Sequence, residues 1–295
     1  MYIAGIDIGG TNLKFGVFDD GLELVYSRVI RSVRADTLAS ARQIRNLIAQ
    51  SPFAPSLIGA GVPGAVFRPS GRVNSGNLRW AGVSFGETLE KETGLKVWLD
   101  NDAQAALAAE TLPGGSCHGL ETAVYLTLGT GVGGALLIGG KPWRGHDNAG
   151  AELGHFITHA GGMRCGCGQK GCFEMYASAG ALSRCAGGVR ARVALDRARE
   201  GDEAMKKALD RYARELAVGL CSLYMVFRPQ AIVLGGGVSA GGDMLLESVL
   251  SHVPSAYNYD AGIMRGVLRI ASRQNEAGML GAAVLAKMHL SAPET

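Results

Sequence analysis

Two stretches of this chain are written to one plan. Residues 5–18 read GIDIGGTNLKFGVF and residues 125–138 read YLTLGTGVGGALLI. Each has alternating apolar residues, a Gly-Gly or Gly-Thr-Gly turn, and a second apolar run, which is the pattern of strand, tight turn, strand. A chain of 295 residues is long enough for two ordinary domains. The duplication therefore predicts two related halves, each presenting a glycine hairpin. The 44 glycines are about twice the usual share. They cluster at turns, as expected where backbone must approach a ligand or a second backbone closely.

The remaining elements follow. Residues 23–32 (ELVYSRVIRS) offer a third strand and residues 36–50 a helix. LIGAGVPGAV is a buried strand running into a Pro-Gly turn, and residues 85–93 form a helix stopped by Gly94. KVWLDND is a strand ending on acids, followed at once by the strong helix former AQAALAAE. LPGGSCHG is the best linker. Beyond the second hairpin come a long helix at 204–227, the strand AIVLGGG, a helix at 243–251 and a last helix at 277–288.

The glycine turns admit competing readings. Gly129, Gly131 and Gly134 satisfy G-x-G-x-x-G, but a dinucleotide site needs a helix directly after the turn. Here an apolar run closed by Gly-Gly and Pro follows, so the segment is a hairpin. No G-x-x-x-x-G-K-[ST] run exists either. Successive N–H groups in such a turn can still cradle an anion, although a plain turn is the simpler alternative for either one alone. Asp7 favours the ligand reading. It interrupts an apolar strand just before the turn, and a buried carboxylate there is costly unless it is paired or faces a cation, a role Mg²⁺ on nucleotide phosphates would serve.

Composition removes several classes. Net charge is +3 and no Lys/Arg run exceeds two residues, which argues against a nucleic-acid surface. No run reaches 18 apolar residues, and Met1 leads straight into a strand rather than a secretory signal. A cytoplasmic protein with no membrane partner is expected, and there clustered cysteines bind metal more often than they form disulfides. Three of the six cysteines fall in RCGCGQKGCFE. With His155 they give H-x9-C-x-C-x4-C, comprising His155, Cys165, Cys167 and Cys172. Three thiolates and an imidazole suit closed, tetrahedral Zn²⁺, and the intervening glycines permit the tight C-x-C backbone. A disulfide between Cys165 and Cys167 would be strained. His146 and His159 read as loop histidines, and Cys117, Cys185 and Cys221 as isolated thiols.

DIGGTNLKFGV and LTLGTGVGGAL together resemble the two phosphate loops of the actin-like ATPase superfamily of sugar kinases. With LDNDAQAALAAE, AELGH and CGCGQKGCFE added, the chain resembles the ROK family (repressors, open reading frames and kinases) over nearly its whole length. The resemblance implies an α/β, two-lobed actin-like ATPase (ribonuclease H-like) fold with a structural zinc loop. The expected partition is an N-terminal lobe at 1–113, a larger lobe at 114–276 carrying the zinc loop, and a helix at 277–295 packing back on the first lobe.

For the site, the resemblance implies Asp102 as general base and Asn101 as a sugar ligand, with Asp100 the structural acid. Without it, an acid at this junction could simply be a helix N-cap. Glu152, the zinc ligand His155 and Glu174 become sugar contacts held by the metal loop, with Gly64 and Asn77 as weaker candidates; a turn asparagine is the plain alternative for Asn77. Asp7, Gly9, Gly10, Thr11, Asn12 and Lys14, then Gly129, Thr130, Gly131 and Gly133, would face ATP and Mg²⁺. Gly235, Gly236 and Gly237 would lie against the adenine or ribose. The implied reaction is phosphorylation of a hexose, glucose O6 first, with sugar and nucleotide meeting in a cleft. N-acetylmannosamine, N-acetylglucosamine or fructose are alternative acceptors and polyphosphate an alternative donor. Dimers are common in the family, so a homodimer is expected. A sugar-sensing regulator is the alternative of another class. It would need a DNA-binding module ahead of the first strand, and that strand begins at Tyr2.

Overall fold

The computed structural model describes residues 1–67, 70–256 and 258–290. The chain divides into two compact units. The first comprises Met1–Pro113, Arg144–Gly150 and the chain from Asn275 onward; the second comprises Gly114–Trp143 and Ala151–Gln274.

The first unit is built on β1 (Ile3–Ile8), β2 (Asn12–Phe18), β3 (Leu24–Arg31), α1 (Thr37–Gln50) and β4 (Leu57–Val62). A small sheet of β5 (Ala65–Val66), β6 (Val73–Ser75) and β7 (Trp80–Val83) follows, then α2 (Phe85–Thr93), β8 (Lys96–Asn101) and α3 (Asp102–Glu110). The main sheet runs β3-β2-β1-β4-β8. β1 pairs antiparallel with β2 and parallel with β4, and β4 parallel with β8. β4 is buried at every residue, as expected for a strand covered on both faces. The Asp36 side chain caps α1 by accepting from the Ala39 N–H, and Ala41, Ile44 and Leu47 bury one helical stripe. Gly94, with φ of 71°, ends α2 in the left-handed region. α3 is buried from Ala103 to Glu110. The C-terminal helix (Ala277–Leu290) packs against β1, β4 and α3. A Cβ on its Gly281 would lie 1.6 Å from the Ala105 carbonyl oxygen, so only glycine lets these helices meet.

The second unit repeats the plan with β9 (Thr122–Leu128), β10 (Val132–Ile138) and β11 (Lys141–Trp143). Then come α4 (Glu174–Ala177), α5 (Ala179–Cys185), α6 (Ala191–Arg199), α7 (Glu203–Phe227), β12 (Ala231–Gly235), α8 (Gly242–Leu250), α9 (Ala261–Val267) and β13 (Leu268–Ile270). Its sheet runs β11-β10-β9-β12-β13. β9 again sits centrally, antiparallel to β10 and parallel to β12. The duplication read from the two glycine stretches is thus a duplication of whole sheets. α7 buries residues at every third or fourth position along its length, from Met205 to Tyr224, against this sheet.

Two features differ from the partition expected above. Residues Arg144–Gly150 belong to the first unit although they lie inside the second in sequence, and the return to the first unit begins at Asn275. Arg144 and Asn148 explain the first difference. The Arg144 Nε donates to Asp100 Oδ2 at 2.9 Å, and Asn148 Nδ2 donates to the Val66 carbonyl at 2.8 Å.

Candidate active site and metal centre

In the first unit the acids come from regular elements. Asp7 and Lys14 face each other across the β1–β2 pair, with Lys14 Nζ 3.2 Å from Asp7 Oδ2. The cation that a strand carboxylate calls for is here supplied by the neighbouring strand. The Gly9 N–H closes the turn on the Asn12 carbonyl at 2.9 Å, while Gly10 lies beside Asn77. Thr11 and Asn12 are exposed.

The β8–α3 junction carries the three consecutive polar residues. Asp100 is fully buried and paired with Arg144, and its Oδ1 accepts the Asn101 N–H at 2.9 Å. The Asn101 Oδ1 caps α3, accepting from Ala103 and Gln104 N–H, and its Nδ2 donates to the Gly64 carbonyl at 2.9 Å. Gly64 itself has φ of 95°, and a Cβ there would lie 2.2 Å from the Asn74 carbonyl oxygen. Asn101 therefore organises the corner, and Asp102 is the first residue of the helix it caps. Asp102 Oδ1 accepts the Ala103 N–H at 2.9 Å.

In the second unit the residues converge on a loop. The ligand atoms of His155, Cys165, Cys167 and Cys172 lie within 4.8 Å of one another. Cys167 and Cys172 sulfurs are 3.6 Å apart, and Cys165 Sγ is 3.7 Å from His155 Nδ1. Tetrahedral Zn²⁺, with Zn–S of about 2.3 Å, holds its sulfurs about 3.8 Å apart, so these four side chains fit the ion. The knuckle is closed by the Cys165 N–H on the Gln169 carbonyl and by the Gly168 N–H on the Cys165 carbonyl. Burial pushes the Cys172 thiol up to about 12 and raises Cys165, while the Gln169 N–H beside Cys167 lowers that thiol. Of the His155 nitrogens, Nδ1 lies on the side of Cys165 Sγ and Nε2 is 4.0 Å from Glu152 Oε2. Burial raises the Glu152 carboxyl, with His155 opposing and Glu174 reinforcing the rise.

Glu174 opens α4 two residues after Cys172 and reaches the second hairpin, its Oε2 accepting the Val132 N–H at 3.0 Å. That turn is closed by the Gly129 N–H on the Gly131 carbonyl, and the Gly133 N–H donates to Thr127 Oγ1 at 3.1 Å. Thr130 is exposed at its tip. Gly236 packs on the backbone of Leu128, which brings the turn of Gly235, Gly236 and Gly237 beside this hairpin. A Cβ on Gly237 would meet nothing within 4 Å. His159 is outside the metal cluster, stacked on Tyr176 and 3.2 Å from Glu215.

Each unit thus assembles its own set. Asp7, Gly9, Gly10, Thr11, Asn12, Lys14, Gly64, Asn77, Asn101 and Asp102 lie in the first. Gly129, Thr130, Gly131, Gly133, Glu152, His155, Glu174, the three cysteines and Gly235–237 lie in the second. Sequence reasoning missed Arg144. A buried Asp100 signals a cationic partner, but 29 Lys and Arg residues compete for the role.

The ROK family model matches residues 3–289. A glucokinase of Thermotoga maritima is 32% identical over 325 residues, covering 97% of this chain and 98% of that protein. An N-acetylmannosamine kinase of Escherichia coli O1:K1 is 35% identical over 209 residues, 68% of each chain. A ROK family glucokinase from Streptomyces griseus, solved in complex with glucose and AMPPNP, matches with a TM-score of 0.87 at 28% identity, covering 98% of this chain and 100% of that one. The metal-loop geometry, the paired sheets and these likenesses agree: the chain is a sugar kinase and belongs to the ROK family.

Proposed function

We propose that this sugar kinase transfers the γ-phosphoryl group of ATP to a hexose hydroxyl, glucose O6 first, with Asp102 as general base. The observation that carries the reading is the β8–α3 corner. Asp100 is locked by Arg144, and Asn101 is spent on capping α3 and holding Gly64. Asp102 follows them as the first residue of α3, and it is the acid to which the likeness of LDNDAQAALAAE to the ROK motif assigns the base.

The hydroxyl proton passes to Asp102 as the hydroxyl oxygen bonds to phosphorus. The bond from phosphorus to the ADP oxygen breaks, giving ADP and the sugar phosphate. Mg²⁺ on the triphosphate would draw off charge, with Asp7 the residue to face it through water. The two glycine turns offer N–H groups to phosphate oxygens. Zn²⁺, held by His155 Nδ1 and the three thiolates, would supply rigidity; Glu152, His155 Nε2 and Glu174 then present acceptors and a donor to ring hydroxyls. The enzyme is read as cytoplasmic and homodimeric, in keeping with the family. Among the described residues no helix is long and apolar enough to cross a membrane.

The likeness to an N-acetylmannosamine kinase favours an amino sugar as the second acceptor to try. An ADP-release assay over glucose, mannose, fructose, N-acetylglucosamine and N-acetylmannosamine, with ATP and with polyphosphate, tests the reading. Turnover with glucose and ATP exceeding every other pair is expected. Measurable sugar binding without turnover on any of them would replace the kinase by a sugar sensor.

A further inference from the structure

The second hairpin and the zinc loop are joined by one carboxylate. Glu174 Oε2 accepts the Val132 N–H at 3.0 Å, at the point where the turn re-enters β10. The other end of the turn is held by the same segment, since the Ala179 N–H donates to the Gly129 carbonyl at 2.8 Å. The Glu174 backbone is anchored in turn, its N–H on the Gly154 carbonyl at 2.8 Å, one residue before His155. Glu174 Oε1 faces Cys165 Sγ at 3.6 Å. Gly131 leaves room for this arrangement, because a Cβ there would lie 2.4 Å from Glu174 Oε2, with no other obstruction than that carboxylate.

We infer that Glu174 is a positioning residue for the phosphate hairpin, and that through it the metal loop couples sugar occupancy to nucleotide binding. This rests on the kinase reading for the identity of the two ligands, while the contact itself does not. A carboxylate offers about four acceptor sites, so the bond to Val132 leaves capacity for a sugar hydroxyl on the same group. A hydroxyl that fixes the Glu174 rotamer also fixes the amide it holds. The turn's geometry is then set before phosphates arrive. Coupling of this kind is reciprocal: the factor by which sugar tightens nucleotide binding equals the factor by which nucleotide tightens sugar binding.

The test uses the full-length, zinc-loaded protein and the variants Glu174→Gln, Glu174→Ala and Gly131→Ala. Amide hydrogen exchange over residues 129–133, without ligands, reads the contact directly. Loss of the acceptor in Glu174→Ala should speed exchange at Val132 by about tenfold, and Gln, which keeps an acceptor oxygen, should restore it to within about threefold. Gly131→Ala keeps every polar group but pushes the carboxylate aside, so it should reproduce the faster exchange; it serves if Glu174→Ala fails to fold. Calorimetric titration of Mg·AMPPNP with and without glucose then reads the coupling factor. It should fall to within about twofold of unity in Glu174→Ala and be retained in Glu174→Gln. Unchanged exchange at Val132 in folded Glu174→Ala and Gly131→Ala overturns the positioning role. Unchanged coupling despite faster exchange overturns the link between the two ligands. A wild-type protein that binds neither ligand refutes the kinase reading, while the exchange result still decides the positioning role.

Discussion

The two glycine hairpins, whose paired strands close over four turn residues in the first and three in the second, differ in how each acquires its charge. In the first, Asp7 pairs across the strands with Lys14, so acid and cation both belong to the hairpin. In the second, Thr127 occupies the position of Asp7 and Gly133 that of Lys14, joined by a neutral hydrogen bond. That hairpin has no acid of its own and takes one from outside, Glu174, delivered by the metal loop. The contrast extends to the units. The first presents Asp7 and Asp102 from a strand and a helix start within its sheet architecture. The second presents Glu152 from irregular backbone and Glu174 from the first residue of the short helix α4, on either side of the His/Cys cluster. Strand pairing and a helix start hold the first pair of acids, whereas the loop between the second pair adds to its backbone hydrogen bonds four side chains that fit Zn²⁺.

The largest effect should come from the self-sufficient side. Asp102→Asn should lower kcat by about 10²–10⁴-fold with the thermal midpoint little changed, as steady-state kinetics beside thermal unfolding would show. Turnover close to wild type in the purified variant would remove Asp102 from the chemistry. Next is the borrowed side. Chelating Zn²⁺ or making Cys172→Ala should abolish metal content, weaken glucose binding by more than about tenfold and destabilise the protein by about 4 kcal/mol. If glucose affinity survives in folded, zinc-free protein, the two units do not differ in the way described.

Arg144→Met probes whether the first unit is as self-contained as its sheet suggests. It strands a buried Asp100 whose partner is itself 22% exposed, so a loss of about 2–3 kcal/mol is expected by chemical denaturation. A loss under about 0.5 kcal/mol would mean the Arg144–Asp100 pair is dispensable. The finest comparison sets Thr127→Val against Lys14→Met. The first should cost about 1 kcal/mol of stability and the second less than that, because the ion pair is partly exposed. Only Lys14→Met should raise the KM for ATP, an outcome read from kinetics at fixed sugar.

Much of this is legible in the sequence itself. Both hairpins are local, and their alternation and glycines specify strand and turn within a few residues. Gly94 marks the end of α2, and AQAALAAE forms α3 as written. The metal cluster was legible because soft ligands at short spacing have few other uses. What escaped was set by distant contacts. Nothing local announces that Arg144 meets Asp100, 44 positions away, or that the Val132 amide finds Glu174 across 42. β11 and β13, three residues each, are too short to show a period and exist because a neighbouring strand offers pairing. The sequence asks for a pair or a cation at Asp7; that Lys14 is the pair follows from strand register, which only pairing fixes.

The C-terminal helix carries a consequence for synthesis. It covers β1 and β4, which are made well before it, and Gly281 is shaped to its contact with α3. The first unit also waits for Arg144 to neutralise Asp100. Nascent chain through Pro113 thus holds its sheet without its cover. At about 5–20 residues per second, some 9–35 s pass before residue 290 emerges. In that interval the apolar faces of β1 and β4 are open to chaperones. The second unit, begun later, has all its segments in hand first. Folding order here would reverse the order of translation, and pulse-labelling of ribosome-bound chains truncated at residues 120, 274 and 295 should find the second unit protected before the first.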